Sequence, residues 1–518
     1  MIPPFLSAIL GILAFLPLGG EPAEPFNLWF LGFIFLVPLF IFFIKEEKLW
    51  RLVLGTFIFR ITFALGITYF TLEPIFWLTS IGIFLGLPIS VYFVKKFLNR
   101  FNNPLILNSY FLPLSLPFLW TFWDLTEAKF SLMPAYIATA GNIFGSSPFL
   151  GLAGVGGIAV LTFFAALINV LIVIFILINK PKNSKFYILN SFIIILLVFA
   201  GWQISKFQLQ KNSLIYDNLK NSVKIASVSI NENFKENDLN KIKADLIGKK
   251  FDLVVFPEDI LNHSLINDNS QSQTTAIASS FAKELKTNLA ATFGTVQSSA
   301  GLTKKYNSSV LFNEKGEVVD IYNKNRLTFI GEYWPFGDWH PLFFDWTLTT
   351  NPEYKNYAVF NLNNAYSRGE KKLLAINSVR NSRGVLNPAG IILKSNPATK
   401  QRSIISNGVK QFNNEAVNFA SLICLEIHYP DDLKNYKKMG ASFIVNPSSN
   451  RWLDAGVKHF LYLSGNLKKI ESVWLKIPIV SSGVNDYAGI ILPDGKTSLI
   501  NYESQNNNFG IFTGEIKF

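Results

Sequence analysis

The sequence predicts two parts of different fold class, a multi-pass α-helical membrane bundle followed by an α/β domain. Half of the 518 residues are hydrophobic, and Phe, Leu and Ile crowd the first two hundred positions, whereas Asn, Lys, Asp and Ser dominate the rest. The mean hydropathy of +0.29 is high for a soluble protein with 16% charged residues. We therefore expect a bundle over residues 1–203 and an α/β domain over residues 220–518.

Seven apolar stretches are long enough to span a bilayer as helices. The first starts with Met-Ile-Pro-Pro and lacks the basic residues that open a signal peptide, so we expect it to be retained. The seven lie at about 4–20, 27–44, 52–72, 75–94, 104–123, 157–179 and 186–202.

Basic residues between these stretches predict their orientation, because lysine and arginine are retained on the cytoplasmic side during insertion. They follow the second, fourth and sixth stretches, whereas the loop after the fifth carries only Lys129 and the loops after the first and third carry none. With the amino terminus inside, seven crossings place everything after about residue 203 outside the cytoplasmic (inner) membrane. The basic residues are Lys45, Lys48, Arg51, Lys95, Lys96, Arg100, Lys180, Lys182 and Lys185.

After about residue 223, strand-like runs alternate with amphipathic stretches, which is typical of α/β folds. Several of the runs end in a polar or reactive residue, where active-site groups of such folds lie. A basic insert at about 340–417 lacks this pattern and fits either a solvated loop or a surface for anionic lipid headgroups. The runs expected as strands are 223–230, 252–258, 289–296, 418–426 and 442–448.

Composition also excludes several classes of function. The net charge is +12, but the basic residues lie largely in short loops between apolar stretches and in the insert, so we expect no nucleic-acid partner. A single cysteine, Cys424, allows neither an intrachain disulfide nor a cysteine-based zinc site. The four histidines lack metal-binding spacing, and we expect no metal and no cofactor. They are His263, His340, His428 and His459.

Three residues offer the chemistry of acyl transfer through a thioester. Glu258 ends the run VVFPE, Lys324 lies in IYNKNRLTFIGEYWP, and Cys424 lies in ASLICLEIHYP. A thiol must lose its proton to attack an ester, and Glu258 is the candidate acceptor. Lys324 is the candidate cation for the oxyanion that forms next. Taken singly, each has a simpler interpretation, as a buried apolar cysteine, a surface lysine or a capping carboxylate.

The chain resembles the nitrilase superfamily, whose Glu-Lys-Cys triad occurs in this order, and more narrowly the apolipoprotein N-acyltransferase family. YNKNRLTFIGEYWP is similar to the family signature Tyr-x-Lys-x-x-Leu-Val-Pro-Phe-Gly-Glu-Tyr, and ICLE is similar to its Ile-Cys-x-Glu. The stretches 118–130 and 145–169 fit the family's membrane part. The resemblance implies a nitrilase-like αββα sandwich, and Glu332 and Glu426 match further acidic positions of the family site.

The same resemblance implies a reaction and its partners. A fatty acyl group passes from a phospholipid, through the cysteine thioester, to the amino-terminal amine of an S-diacylglyceryl-cysteine lipoprotein. We expect phospholipid donor, apolipoprotein acceptor and membrane lipid as partners, and a monomer. Two alternatives remain, a membrane-anchored amidase or nitrile hydrolase of the superfamily, in which water ends the thioester, and an inactive lipid-binding scaffold.

The chain also departs from the family pattern. The family's Asn-Asp-x-Trp-Phe corresponds to NPSSNRW at 446–452, and its Arg-x-x-Asn-x-Gly corresponds to SSGVNDYAG at 481–489. The strand-like ending GIFTGEIKF replaces the family's usual final helix, so we expect the carboxyl terminus to lie outside. Arg60 within an apolar stretch fits either a functional charge or one that faces polar partners inside the bundle. His428 fits a structural role better than a catalytic pairing with Cys424.

Overall fold

The protein is described here by a computed structural model. The ranges described are 1–19, 26–67, 80–100, 104–131, 135–177, 184–260, 268–299, 302–328, 332, 359–361, 417–451, 457–485, 488–498 and 508–518. Nearly all of the predicted basic insert, and parts of the segments 446–452 and 481–489, lie outside the described residues.

The amino-terminal part consists of apolar helices, as the composition predicts. Within the described ranges, four helices are long and apolar enough to cross a membrane: Leu49–Ile67, Ser80–Leu98, Leu150–Leu177 and Ile188–Asp217. The protein is therefore a membrane protein. The helices are α1 (Ile2–Phe15), α2 (Val37–Lys45), α3 (Leu49–Ile67), α4 (Gly86–Leu98), α5 (Pro104–Phe130), α6 (Ala153–Leu177) and α7 (Ser184–Asp217). Two short strands, β1 (Pro17–Gly19) and β2 (Phe26–Asn27), pair antiparallel.

Several helix bounds differ from the expected ones, and those of the first and last bundle helices have identifiable physical reasons. The first helix ends at Phe15, not near residue 20, because Leu16 is extended before Pro17 and a residue that precedes proline disfavours helical backbone. The last bundle helix was expected to end near residue 202 but continues to Asp217. The length of an apolar stretch indicates how much of a helix contacts lipid, but it does not indicate where the helix ends. The polar residues after 202 are compatible with a helix that continues into water.

Aromatic packing and one buried ion pair hold the bundle interior. Trp120 makes edge-to-face contacts with the rings of Phe35, Phe40, Phe59 and Phe84. Arg60 on α3 pairs with Glu127 on α5, which also accepts a hydrogen bond from Ser80. Arg60 thus faces polar partners inside the bundle, the second of the two roles that the sequence allows.

The carboxyl-terminal part is an α/β domain whose described strands form one mixed sheet. Its order is β7-β6-β5-β4-β3-β11-β10-β9-β8, while β12 extends from β11, β13 from β12, and β14 pairs with β3. The strands are β3 (Ser222–Ile230), β4 (Leu253–Glu258), β5 (Asn288–Ser299), β6 (Leu302–Phe312), β7 (Val318–Asn323), β8 (Val359–Asn361), β9 (Asn418–Ser421), β10 (Phe443–Ser449), β11 (Ile479–Val484), β12 (Gly489–Ile491), β13 (Thr497–Ser498) and β14 (Phe509–Lys517), and the helices are α8 (Glu236–Leu246), α9 (Asp268–Leu285), α10 (Pro430–Lys438) and α11 (Val457–Leu475).

The sheet brings the ends of several strands to one edge. β9, β10, β11, β3, β4 and β5 are joined by parallel pairings, so their carboxyl ends point the same way. Glu258 is the last residue of β4, and the chain reaches Cys424 three residues after β9. Four of the five expected strands are confirmed. The expectation for 418–426 is wrong beyond Ser421, because the chain leaves the sheet there and enters a 3₁₀ turn, Cys424–His428.

The bundle and the α/β domain are in direct contact. The last bundle helix, α7, reaches the α/β domain, where Asn212 Nδ2 donates to the carbonyls of Val473 (3.0 Å) and Pro493 (2.9 Å). Near its end, the Tyr216 hydroxyl accepts a hydrogen bond from the Lys517 amide of β14 at 2.9 Å. The α/β domain is therefore docked onto a helix that begins in the bundle.

Candidate active site

The thiol of Cys424 lies at a sharp turn of the backbone. Cys424 has a φ of 52°, in the left-handed region that residues other than glycine rarely adopt. Such a residue costs on the order of 1–3 kcal/mol, persists only where its surroundings hold it, and clusters at functional sites. Here Asn446 of β10 holds the turn, since its Nδ2 donates to the carbonyls of Leu422 (2.6 Å) and Cys424 (3.1 Å).

Glu426 joins this turn to the loop that follows Lys324. One carboxylate oxygen, Oε2, accepts from the Ile423 amide at 2.8 Å. The other, Oε1, accepts from the amides of Asn325 (2.7 Å) and Arg326 (3.0 Å) and from the Tyr322 hydroxyl (2.9 Å). Burial raises the pKa of Glu426 to about 7, against the opposing effects of Lys324 and these hydrogen bonds. The contacts of Glu426 are those of a structural support for the cysteine turn.

Glu258, Lys324 and Glu332 form a buried charge cluster. Lys324 follows β7 directly and is only 2% exposed. Its Nζ lies 2.8 Å from Glu332 Oε1 and 3.7 Å from Glu258 Oε1. The structure therefore brings together three residues that lie up to 74 positions apart in the sequence, from Glu258 to Glu332.

Asn307 of β6 connects the two carboxylates of the cluster. Its Nδ2 donates to Glu258 and to Glu332, at 2.9 Å in the second case, and its own carbonyl accepts from the Lys324 amide at 2.8 Å. Sequence reasoning missed Asn307. The available signal was an asparagine inside a strand, where this residue type is depleted.

The charges of the cluster set its protonation. Burial alone would lower the pKa of Lys324, but Glu332 and Glu258 raise it well above its usual value, so Lys324 stays a cation. Burial would raise the pKa of Glu332, but Lys324 lowers it below its usual value, so Glu332 is the ionised partner. Burial raises the pKa of Glu258 despite Lys324, and a hydrogen bond from the Cys424 thiol acts against that rise.

Asp259, which interacts electrostatically with Arg451, lies beside Glu258. Asp259 has a φ of 58°, and its amide donates to the Thr292 carbonyl at 3.0 Å. Burial and the charge of Glu258 raise the pKa of Asp259 to about 7, while Arg451, within the divergent segment 446–452, lowers it. In the described part of the chain, no group of three or more His, Cys, Asp or Glu side chains is arranged to hold a metal ion.

Comparison with known families agrees with this architecture. The apolipoprotein N-acyltransferase N-terminal domain matches residues 7–171, and the carbon-nitrogen hydrolase domain matches residues 224–464. The chain belongs to the apolipoprotein N-acyltransferase family. Its predicted fold class, a membrane helical bundle with a nitrilase-like α/β domain, is confirmed, and so is the predicted family resemblance.

Relatives of this acyltransferase family cover the chain to different extents. The apolipoprotein N-acyltransferase of Borreliella burgdorferi is 24% identical, and the match covers 94% of this chain and 86% of that protein. Apolipoprotein N-acyltransferase 2 of Leptospira interrogans is 24% identical over 237 residues, and the match spans 40% of this chain and 34% of that protein. The crystal structure of Saccharomyces cerevisiae Nit3, a member of branch 10 of the nitrilase superfamily, is 15% identical, covers 58% of this chain and 91% of its own, and has a TM-score of 0.33.

Proposed function

We propose that this acyltransferase moves a fatty acyl group from a phospholipid, through a thioester on Cys424, to the amino-terminal amine of an S-diacylglyceryl-cysteine lipoprotein. The convergence of Cys424, Glu258 and Lys324 in a domain docked on membrane helices carries the proposal. The triad supplies a nucleophile, a proton acceptor and a cation. The helices keep that site beside lipid, where both the donor and the acceptor are anchored.

In the first half-reaction, Cys424 takes the acyl group. Glu258 accepts the thiol proton, and the sulfur attacks the carbonyl carbon of the donor ester. The carbonyl oxygen becomes an oxyanion, which the Lys324 cation stabilises in a site that is largely closed to water. The carbon–oxygen bond then breaks, and the leaving alkoxide takes the proton from Glu258. The products are a thioester and a lysophospholipid.

In the second half-reaction, the amine of the lipoprotein attacks the thioester carbonyl. Glu258 accepts a proton from the attacking amine, and Lys324 again stabilises the oxyanion. The carbon–sulfur bond breaks, the sulfur recovers a proton from Glu258, and an amide results. Glu332 holds Lys324 by its 2.8 Å contact, so Glu332 orients the cation without touching the acyl group.

The expected product tests this function directly. Mass spectrometry of a lipoprotein amino terminus should show one added acyl chain, in amide linkage, when the purified protein is supplied with phospholipid vesicles. The same lipoprotein with an acetylated amino terminus is the matched control and should gain nothing. Release of free fatty acid with no acylated lipoprotein would show a hydrolase instead.

The distribution of loop charges supports a site outside the cytoplasm in a multi-pass cytoplasmic-membrane protein. A periplasmic reporter fused after Phe518 should be active, because every residue after about 203 lies on that side. A cytoplasmic reporter fused at the same residue should be silent, and one fused after Lys96 should be active. A cytoplasmic signal from the fusion after Phe518 would contradict the proposed topology.

A further inference from the structure

One hydrogen-bonded connection runs from the bundle to the turn that carries Cys424, and it uses residues outside the charge cluster. It begins on bundle helix α5, where Asp124 Oδ2 accepts a hydrogen bond from the Ala140 amide at 2.9 Å. Ala140 starts a 3₁₀ turn, Ala140–Ser146, in the loop between α5 and α6. The 3₁₀ turn is thereby hydrogen-bonded to the bundle at its first residue.

The same loop forms hydrogen bonds with helix α11 of the α/β domain. Asn142 Nδ2 donates to the carbonyl of Leu463 at 3.0 Å, and Asn466 Nδ2 donates back to the carbonyl of Asn142 at 3.2 Å. Gly145 lies so close to Asn466 that a Cβ atom there would come within 2.7 Å of its backbone. Since Asn142 and Asn466 are both at most 2% exposed, this contact excludes water and fixes the helix against the loop.

Helix α11 in turn contacts the cysteine turn through His428. Ser464, next to Leu463, places its Oγ 3.0 Å from His428 Nε2. His428 is the last residue of the 3₁₀ turn that Cys424 begins. Burial lowers the pKa of His428 to about 3, so the imidazole is neutral near pH 7 and acts as a hydrogen-bonding group.

We propose that His428 and Ser464 are positioning residues for Cys424. Through them, the contact between Asn142 of the bundle loop and helix α11 helps to fix the position of the cysteine turn. This inference rests on the proposed function, since it presupposes acyl loading of Cys424. The left-handed backbone of Cys424 must be held from outside, and Asn446 and Glu426 hold the start of its turn. Ser464 holds the other end, so the helical bundle contributes to the geometry of the nucleophile.

The test measures acyl loading of the full-length protein from phospholipid vesicles in single-turnover experiments. Ser464→Ala should lower the loading rate at saturating donor roughly tenfold, because a small displacement of a reacting atom is costly. The donor concentration that gives half of the maximal rate should not change. Ser464→Thr keeps the hydroxyl and should restore most of the rate.

The matched control is Ser472→Ala, on the same helix. Ser472 is equally buried, but its hydroxyl donates to the Ile477 carbonyl at 2.8 Å, away from the cysteine turn. It should load at the wild-type rate even if its melting temperature falls as far as that of Ser464→Ala. Equal slowing in both variants would overturn the proposal, because it would reflect general destabilisation of the helix.

Two further comparisons separate positioning from other roles. His428→Gln retains a side-chain donor and should load much faster than His428→Leu, whereas equal losses would indicate a need for the imidazole itself and overturn the proposal. If Asn142 acts through Ser464, Asn142→Ala combined with Ser464→Ala should slow loading by less than the product of the single effects. Multiplicative effects would overturn the connection to the bundle. Absence of loading in the wild type would instead refute the proposed function.

Discussion

Incubation with a phospholipid donor alone should leave the protein heavier by one acyl chain, attached to Cys424 as a thioester. With no acceptor amine, the second half-reaction cannot proceed, so the intermediate should accumulate. Intact-protein mass spectrometry should show the added mass, and hydroxylamine should remove it. Because Cys424 is the sole cysteine of the chain, no other thiol competes for the label.

Cys424→Ala should abolish both loading and transfer, the largest loss expected of any single substitution. The loaded wild type should discharge when a diacylglyceryl peptide with a free amine is added and stay loaded with the amino-terminally blocked peptide. Transfer that persists in Cys424→Ala would exclude a covalent intermediate at this position. Loading followed by rapid fatty acid release without amine would show that water ends the reaction.

Loss of the charged groups around Cys424 should slow the loading step by orders of magnitude. Lys324→Ala should cost about 10²–10³-fold, since it removes the cation that faces the oxyanion. Glu258→Gln should cost about 10²–10⁴-fold, since the amide cannot accept the thiol proton. Stopped time courses of acyl loading, followed by mass, measure both. Lys496→Ala, which removes an exposed lysine paired with Asp494, is the matched control and should load normally.

The rate of acyl loading should depend on pH, and the protonation of Glu258 determines the direction of that dependence. The carboxylate must be ionised to accept a proton, so loading should fall as the pH is lowered through the pKa of Glu258. Because burial raises that pKa above its usual 4.5, the fall should occur at a higher pH than an exposed glutamate would give. Loading that stays constant down to pH 4.5 would contradict Glu258 as the proton acceptor.

The sequence singles out the titratable residues of the candidate site but not the residues that support them. Glu258, Lys324 and Cys424 stand in short, recognisable segments, and the structure brings them together because their strands share a sheet. The sequence does not predict the supporting roles of Asn307 and Asn446, because a single asparagine in a strand adds nothing to a periodic pattern. Their function depends on pairings between strands that are distant in sequence.

The error at 418–426 has a similar cause. The run is mostly apolar up to Cys424, and a hydrophobic pattern predicts burial without fixing the backbone direction. The turn at Cys424 depends on hydrogen bonds from Asn446 and to Glu426, which come from other elements or later residues. The prediction of helix ends is inaccurate for a related reason, because the length of an apolar stretch and the length of the helix that contains it are different quantities.

Helix α7 has a consequence for how substrates find the site. Its 34 residues extend about 51 Å at ~1.5 Å per residue, whereas the bilayer's hydrocarbon layer is about 30 Å thick. Large apolar side chains along its first half, such as Ile188, Phe192 and Ile195, are more than half exposed, as lipid contact requires. Under the proposed topology, this continuous helix, which contacts the α/β domain through Asn212 and Tyr216, would hold that domain at a fixed distance from the lipid. A lipid donor and a lipid-anchored acceptor would then need only to diffuse laterally in the membrane, so that encounter with the site would be a two-dimensional search.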